Sequence, residues 1–185
     1  MSEVVTMDEI KTWLKIDNTA DDYVLDALRV SCIDYAESYT GLYFIERDES
    51  ISFAGLQNSR WESFPYIDIP KPLISSLTKI ESIVDSETTV VSGTYYTFRN
   101  VSNIGRVIFT TTPSYDIDKP YPFTVYFTAG FGDTAEDVPE LIKTAIKLHI
   151  AYLYENRGDV QSDGGLFAPL ETTALLNKYK VRYIF

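Results

Sequence analysis

With 185 residues, 45% hydrophobic and 14% aromatic, the chain holds enough apolar material for one cored domain or for a helical domain with a β insertion, and wholesale disorder is excluded. Its formal charge of -11, from 27 acidic and 16 basic residues, argues against a grip on nucleic acid, which needs clustered Lys and Arg to neutralise phosphates. The nearest basic group, Lys178, Lys180 and Arg182, is broken up by Tyr and Val.

Thr6 to Glu9 has the spacing of a capping box, and Ile10, Trp13 and Leu14 follow at helical spacing, so a short helix is expected to end near Ile16. After the polar stretch Asn18 to Asp22, residues Leu25, Leu28, Cys32, Tyr35, Ala36 and Tyr39 line one face of a longer helix. Gly41 supplies its stop, and Asp21, Asp22 and Asp26 sit where the helix dipole favours acids. From Leu42 to Thr128 the chain turns rich in Tyr, Phe, Ile, Val, Thr and Ser, punctuated by Gly and Pro. Short strands are expected around 51–53, 66–69, 79–83, 95–98, 105–109 and 123–127, joined as hairpins because no crossover helix is visible.

Pro139 starts the next helix, with Leu141, Ile142, Ala145, Leu148, His149, Tyr152 and Leu153 as its apolar stripe and Gly158 as its end. Residues 161–165 read as a flexible polar loop. Pro169 to Lys178 reads as a last short helix through Leu170, Ala174 and Leu175, and Val181 to Phe185 is strongly β-prone. No run approaches the length of a membrane span. Met1-Ser2-Glu3 carries no secretory pattern, and lone Cys32 reads as a buried small hydrophobe, so folding in a reducing cytoplasm is expected.

Little here points to a reaction centre. His149 lies on an apolar helix face, where a packed imidazole is expected, and one His with one Cys does not make a zinc site. Asp133, Glu136, Asp137 and Glu140 match no calcium loop and read as helix-start acids rather than metal ligands. Gly130-Phe131-Gly132 lacks the Lys-Ser/Thr of a phosphate loop and reads as a turn from strand to helix. Glu155-Asn156-Arg157 either meets a partner or closes a helix. The apolar-aromatic end Tyr179, Lys180, Val181, Arg182, Tyr183, Ile184, Phe185 either packs at home or inserts into a neighbour. A rival class is a small-molecule-binding or hydrolytic α+β domain with Asp116 and Asp118 as acid and base, but nothing aligns them with a nucleophile.

Several stretches, in this order, resemble the head–tail connector (adaptor, or head-completion) proteins of tailed bacteriophages. At the N-terminal end they are Glu9-Ile10-Lys11 with Leu14, Asp21-Asp22 and Tyr39-Thr40-Gly41. Toward the C-terminus they are Ala129 to Asp133, Val138-Pro139-Glu140 with Ile142-Lys143 and Ala145-Ile146, Tyr154 to Arg157, and Ala174-Leu175-Leu176 with Tyr179. The resemblance implies an α+β fold: a helical connector core with long helices near 21–40 and 138–156, an inserted small antiparallel β region, and a C-terminal tail. The expected parts are 1–41 and 129–178 as the helical core, 42–128 as the β-rich insertion and 179–185 as the partner-binding tail. It further implies a structural virion protein of the neck, assembled in the host cytoplasm, with no catalytic residue, cofactor or metal. Such a protein forms a ring, expected to be dodecameric, under the portal. There it extends the channel through which genomic DNA passes without specific binding, and it offers a platform to the stopper or tail-completion protein. On this view Tyr179 to Phe185 engage the portal, and Tyr154, Glu155, Asn156 and Arg157 are candidate subunit contacts. A stopper-like neck protein is the alternative within the virion; stoppers of this kind look mainly β.

Overall fold

Helix α1 (Met7–Leu14) opens on the expected capping box: the Glu9 N–H donates to Thr6 Oγ1 at 3.2 Å while Glu9 Oε2 accepts the Thr6 N–H at 2.7 Å. It ends two residues before the expected Ile16, because Lys15 turns left-handed (φ 57) and the Ile16 N–H closes on the Lys11 carbonyl at 2.9 Å. Helix α2 (Asp22–Thr40) buries Leu25, Cys32 and Ala36 and stops at Gly41. There φ is 77, a value that costs a residue without a Cβ little, and the Gly41 N–H reaches the Glu37 carbonyl at 2.8 Å. Helix α3 (Glu140–Glu155) buries Ile142, Lys143, Ala145, Ile146, His149 and Ile150, and helix α4 (Leu170–Leu176) packs against it.

Among the described residues, seven strands fill the middle of the chain: β1 (Arg47–Phe53), β2 (Tyr66–Ile69), β3 (Ile74–Val84), β4 (Glu87–Val90), β5 (Tyr96–Val101), β6 (Ile104–Phe109) and β7 (Phe123–Ala129). They form two antiparallel sheets, ordered β1-β7-β3-β4 and β2-β6-β5. Alternation sets the faces: Phe123, Val125, Phe127 and Ala129 of β7 point inward, as do Ile67 and Ile69 of β2 and Val107 and Phe109 of β6. Aromatic contact links the inner faces, with the Phe109 and Phe123 rings 6.1 Å apart and Tyr96 edge-on to Phe109 at 6.0 Å.

The computed structural model describes residues 3–58, 63–101, 103–156 and 168–181. Arg157, Gly158, the 161–165 loop and Arg182 to Phe185 lie outside them. The chain divides into two units, one built from Met1–Ile45 with Phe131–Val181 and the other from Glu46–Gly130. The helical unit has one core, in which Ile10, Leu25, Cys32, Phe44, Ile142 and Ile146 are almost wholly buried. Full burial of each larger side chain contributes about 1.5–3 kcal/mol. The β unit has its own interior around Ile67, Ile69, Ile80, Phe109, Phe123 and Phe127.

This corrects the expected fold. A core of long helices carrying a small antiparallel insertion and a tail is not what forms. The chain is α+β overall, with, among the described residues, four helices, two of them only 8 and 7 residues long, and two antiparallel sheets of seven strands. Two strands account for much of the difference. β1 begins at Arg47, four residues before the expected alternation, on charged residues that pair with the Thr128 end of β7. β4 was not expected, because all four of its residues are exposed and show no burial alternation. Helix α4 also turns a different face: Leu170 and Ala174 are exposed, whereas Thr172, Thr173 and Leu176 are buried. The two threonines can go inside because each hydroxyl donates to a carbonyl, Thr172 to Ala145 at 3.4 Å and Thr173 to Leu170 at 2.9 Å.

Candidate functional site

The root of the C-terminal segment is fixed on the helical unit. The Tyr179 ring stands edge-on to Phe131 at 6.3 Å, Lys180 Nζ lies 4.4 Å from the centre of the Tyr39 ring, and the Val181 N–H donates to the Thr40 carbonyl at 2.8 Å. Tyr39 in turn donates its hydroxyl to Asn177 Oδ1 at 2.7 Å and stacks with Tyr35 at 6.0 Å. These contacts pin the chain as far as Val181. Of the expected tail, Tyr179, Lys180 and Val181 are therefore held at home, and Arg182, Tyr183, Ile184 and Phe185 lie outside the described residues.

At the end of α3 the predicted contact residues separate. Tyr154 turns inward and donates its hydroxyl to Asp21 Oδ2 at 2.5 Å, tying α3 to the start of α2. Asp22 next to it pairs with Lys11 of α1 at 2.6 Å. Glu155 and Asn156 are exposed, and Asn156 Nδ2 donates to the Tyr152 carbonyl at 2.8 Å, closing the helix. Arg157 lies outside the described residues.

The groups weighed for chemistry are spoken for structurally. The His149 imidazole is buried and edge-on to Tyr35 at 5.0 Å. Burial pushes the Cys32 thiol up to about 12, which keeps it a protonated hydrophobe. Asp137 Oδ2 accepts both the Thr134 hydroxyl (2.7 Å) and the Thr134 N–H (3.1 Å), and those two bonds hold its carboxyl below the usual carboxylate value. Gly132 makes this possible. A Cβ there would lie 2.4 Å from the Asp137 carboxylate, so the reason for glycine is room rather than a turn. Glu140 pairs with Lys143 at 2.7 Å, and that bond lowers its carboxyl. Among the described residues no group of acids, His or Cys is placed to hold a metal ion.

On the outer face of the larger sheet, Lys79 donates to Glu81 at 2.6 Å and the Tyr126 hydroxyl donates to the same carboxylate at 2.9 Å. Lys79 Nζ also lies 4.4 Å from the Tyr126 ring centre. The two hydrogen bonds hold the Glu81 carboxyl down and hold the Lys79 and Tyr126 protons on. Beside this cluster Asp48, Thr128 and Ser76 form a ladder across three strands at 2.7 and 3.2 Å. An open cleft of about 310 Å³ is lined here by Asp48, Glu49, Ser50, Thr78, Tyr126 and Phe127. These are saturated cross-strand networks, which fix register rather than move protons.

Sequence reasoning missed what Asp116 does. The β3–β4 hairpin turns through Asp85 (φ 51) and Ser86 (φ 66), a left-handed pair built without glycine. Asp116 covers the strained turn by accepting both of its N–H groups, from Asp85 at 3.0 Å and Ser86 at 2.9 Å. Its own N–H donates to the Ile83 carbonyl at 2.8 Å. Asp116 is therefore a clamp, and its neighbour Asp118 is simply exposed.

Residues 4–80 match the family model described as phage gp6-like head-tail connector protein. Over that stretch the chain is similar to the tailed-phage head–tail connectors. The matched stretch runs from before α1 into β3 and holds the N-terminal motifs of the resemblance; those from Ala129 onward lie beyond it. No curated protein matches the chain.

Among solved structures, a chain in the neck of an empty gene transfer agent particle, computed with C6 symmetry, superposes at a TM-score of 0.75 and 18% identity. The match covers 98% of the present chain and 92% of that one. A chain in the virion of the native gene transfer agent particle gives 0.73 at 19% identity, covering 98% and 92%. A third, in the native particle's neck computed with C12 symmetry, gives 0.65 at 20% identity, covering 100% and 97%. At these identities the likeness is one of fold, and it extends over nearly the whole of this chain.

Proposed function

We propose that the protein is a structural subunit of the neck of a tailed, phage-like particle, where copies of it form a ring between the portal and the tail. The observation that carries this is the joint one: a connector-family sequence over residues 4–80, in a chain whose whole length shares the fold of chains from gene transfer agent particles, two of them described as neck structures. Those necks were computed with C6 and C12 symmetry, which supports a ring and, in the finer reading, a dodecamer. A family of structural parts implies a non-enzymatic role.

In the finer reading the ring sits under the portal, extends the DNA channel and presents a platform to the stopper or tail-completion protein. The C-terminal segment engages the portal. Tyr179, Lys180 and Val181 are its root, which leaves Arg182, Tyr183, Ile184 and Phe185 as the reaching part. Glu155, Asn156 and Arg157 are offered to the neighbouring subunit, since the Tyr154 hydroxyl already serves its own unit. The charge of -11 suits a lumen that lets DNA slide, and weak or absent DNA binding at low salt is the accompanying expectation.

A short segment binds weakly alone, but copies held on one ring act together, so docking on the portal drives assembly. Electron microscopy of the protein mixed with its portal tests this. The full chain should form rings beneath the portal, and a chain lacking Arg182–Phe185 should stay folded and form none. Rings from the truncated chain would remove the tail from the account. Absence of rings from the full chain would remove the account itself.

A further inference from the structure

The β unit carries a rigid, exposed apolar point with an acidic rim. The loop between β6 and β7 is braced at several points: the Tyr115 ring packs on Phe123 at 4.8 Å, and Pro113 and Pro122 are buried. The Ile83 N–H donates to the Pro122 carbonyl at 2.9 Å, and Asp116 clamps the neighbouring hairpin turn. On this support Ile117 is 82% exposed and Tyr121 59% exposed, with Asp116, Asp118 and the cation Lys119 in the same loop and Asp85 and Glu87 at the hairpin turn that Asp116 clamps. A held aromatic and a held aliphatic side chain lose little freedom on binding, which is how interface anchors are made.

The opposite end of β3 has the complementary character. β3 spans 11 residues, roughly 30 Å or more at the usual strand rise. Asp116 marks its Val84 end, and at its start the Asn100 side chain donates to the Ile74 carbonyl at 2.9 Å. There, on edge strand β5, Arg99 lies directly opposite Arg106. Arg106 is matched by Asp68 through two bonds of 2.6 and 2.8 Å, so the row Asp68, Arg106, Arg99 carries one surplus positive charge at the exposed Arg99. Two residues on, Val101 is 40% exposed on the same face, paired with Ile104.

From this opposition we infer that the β unit binds a second copy of itself head to tail, the acidic Ile117/Tyr121 point of one copy seating on the Arg99/Val101 patch of the next. The two surfaces are different and lie at opposite ends of β3, so the contact is heterologous and propagates around a ring or along a filament. Charge sets its orientation and the apolar anchors supply most of its strength. Its closure into a ring rests on the proposed neck function.

Charge exchange in the full-length chain is the test, read by sedimentation velocity over a concentration series at low ionic strength. Ile117→Ser should weaken association by about tenfold or more. Arg99→Glu and Asp118→Arg should each weaken it several-fold, and the double exchange in one chain should restore it. All three sites are exposed, and Glu at 99 would face Arg106, so these variants keep their fold. Wild-type protein that stays monomeric up to about 100 µM, a Kd too weak for a seated anchor, overturns the contact. So does association indifferent to Ile117→Ser, or a double exchange that fails to rescue. Rings under the portal that ignore every variant overturn this contact and leave the neck reading standing; a wild-type chain that forms no ring under the portal overturns the neck reading instead.

Discussion

The helical unit and the β unit of this chain are organised by different kinds of information. In the helical unit several boundaries are marked locally: a Thr-x-x-Glu box opens α1, a glycine closes α2, and a proline leads into α3. Its one core then joins elements that are already delimited. In the β unit the hairpins β3–β4 and β5–β6 are local, but the centre of the larger sheet is not. β7 is paired on one side with β1, more than seventy residues earlier, as in Asp48 with Thr128, and on the other with β3. Its face is set by register, and a slip of one residue would turn Phe123, Val125 and Phe127 outward. The unit that carries the proposed self-contact is thus the one whose order depends on distant pairs.

Core truncation gives the largest expected effect and compares the two units directly. Phe123→Ala should cost about 3–5 kcal/mol and Ile146→Ala in α3 about 2–5 kcal/mol, measured by chemical denaturation. The sharper difference is functional. Phe123 supports Tyr115 and, through it, the Ile117 loop, so Phe123→Ala should weaken head-to-tail association without touching either surface. Ile146→Ala, in the helical core, should leave residual association at the wild-type level wherever the protein stays folded. Equal loss from both would erase the distinction between the units.

How much could be read beforehand follows the same division. Helix α2 is marked by its 3.6-residue pattern and Gly41, and the Thr6–Glu9 cap is visible as a motif, because both are short-range signals. The hairpin of β3 and β4 is invisible for a physical reason. Its turn is Asp85-Ser86, without the glycine that usually marks a left-handed pair, and the compensating acceptor is Asp116, thirty-one residues away by sequence separation. Ile117 and Tyr121 read as ordinary loop residues until the brace beneath them is seen. The face of α4 misleads because Thr172 and Thr173 are polar by type but satisfied by carbonyls in place. Tyr154 looks like a surface contact and proves to be tied to Asp21, a pairing with a sequence separation of 133 residues.

A smaller effect tests whether the helical unit depends on its local signals as strongly as this comparison holds. Gly132→Ala places a methyl 2.4 Å from the Asp137 carboxylate, on the side chain that closes the Thr134–Asp137 cap before α3. Relieving that overlap should cost about 1–3 kcal/mol, the usual range for an overpacked site, seen as a lower denaturation midpoint. A neutral result would mean that the cap yields freely and that α3 is placed by its core residues alone.

The smallest expected effect is the response to acid, and it separates the units by which carboxylate is replaced. Hydrogen bonds hold Asp137 and Glu140 of the helical unit and Glu81 of the β unit below their ordinary values of 3.8, 4.5 and 4.5. A carboxyl lowered in the folded state contributes stability that is fully present above its unfolded value and is lost as pH falls through the folded one. Stability should therefore be level near neutral pH and begin to decline around pH 4.5, with Asp137 joining below 3.8. Asp137 and Glu140 are exposed and solvent-screened, and Glu81 is half-buried, so the slope should be shallow, least so for Glu81. Glu81→Gln leaves Lys79 and Tyr126 without their shared acceptor and should flatten the acid response of a β-sheet probe, while Asp137→Asn should flatten that of a helix probe. If either substitution flattened both probes alike, the acid response would belong to the chain as a whole and not to the separate networks that now distinguish its two units.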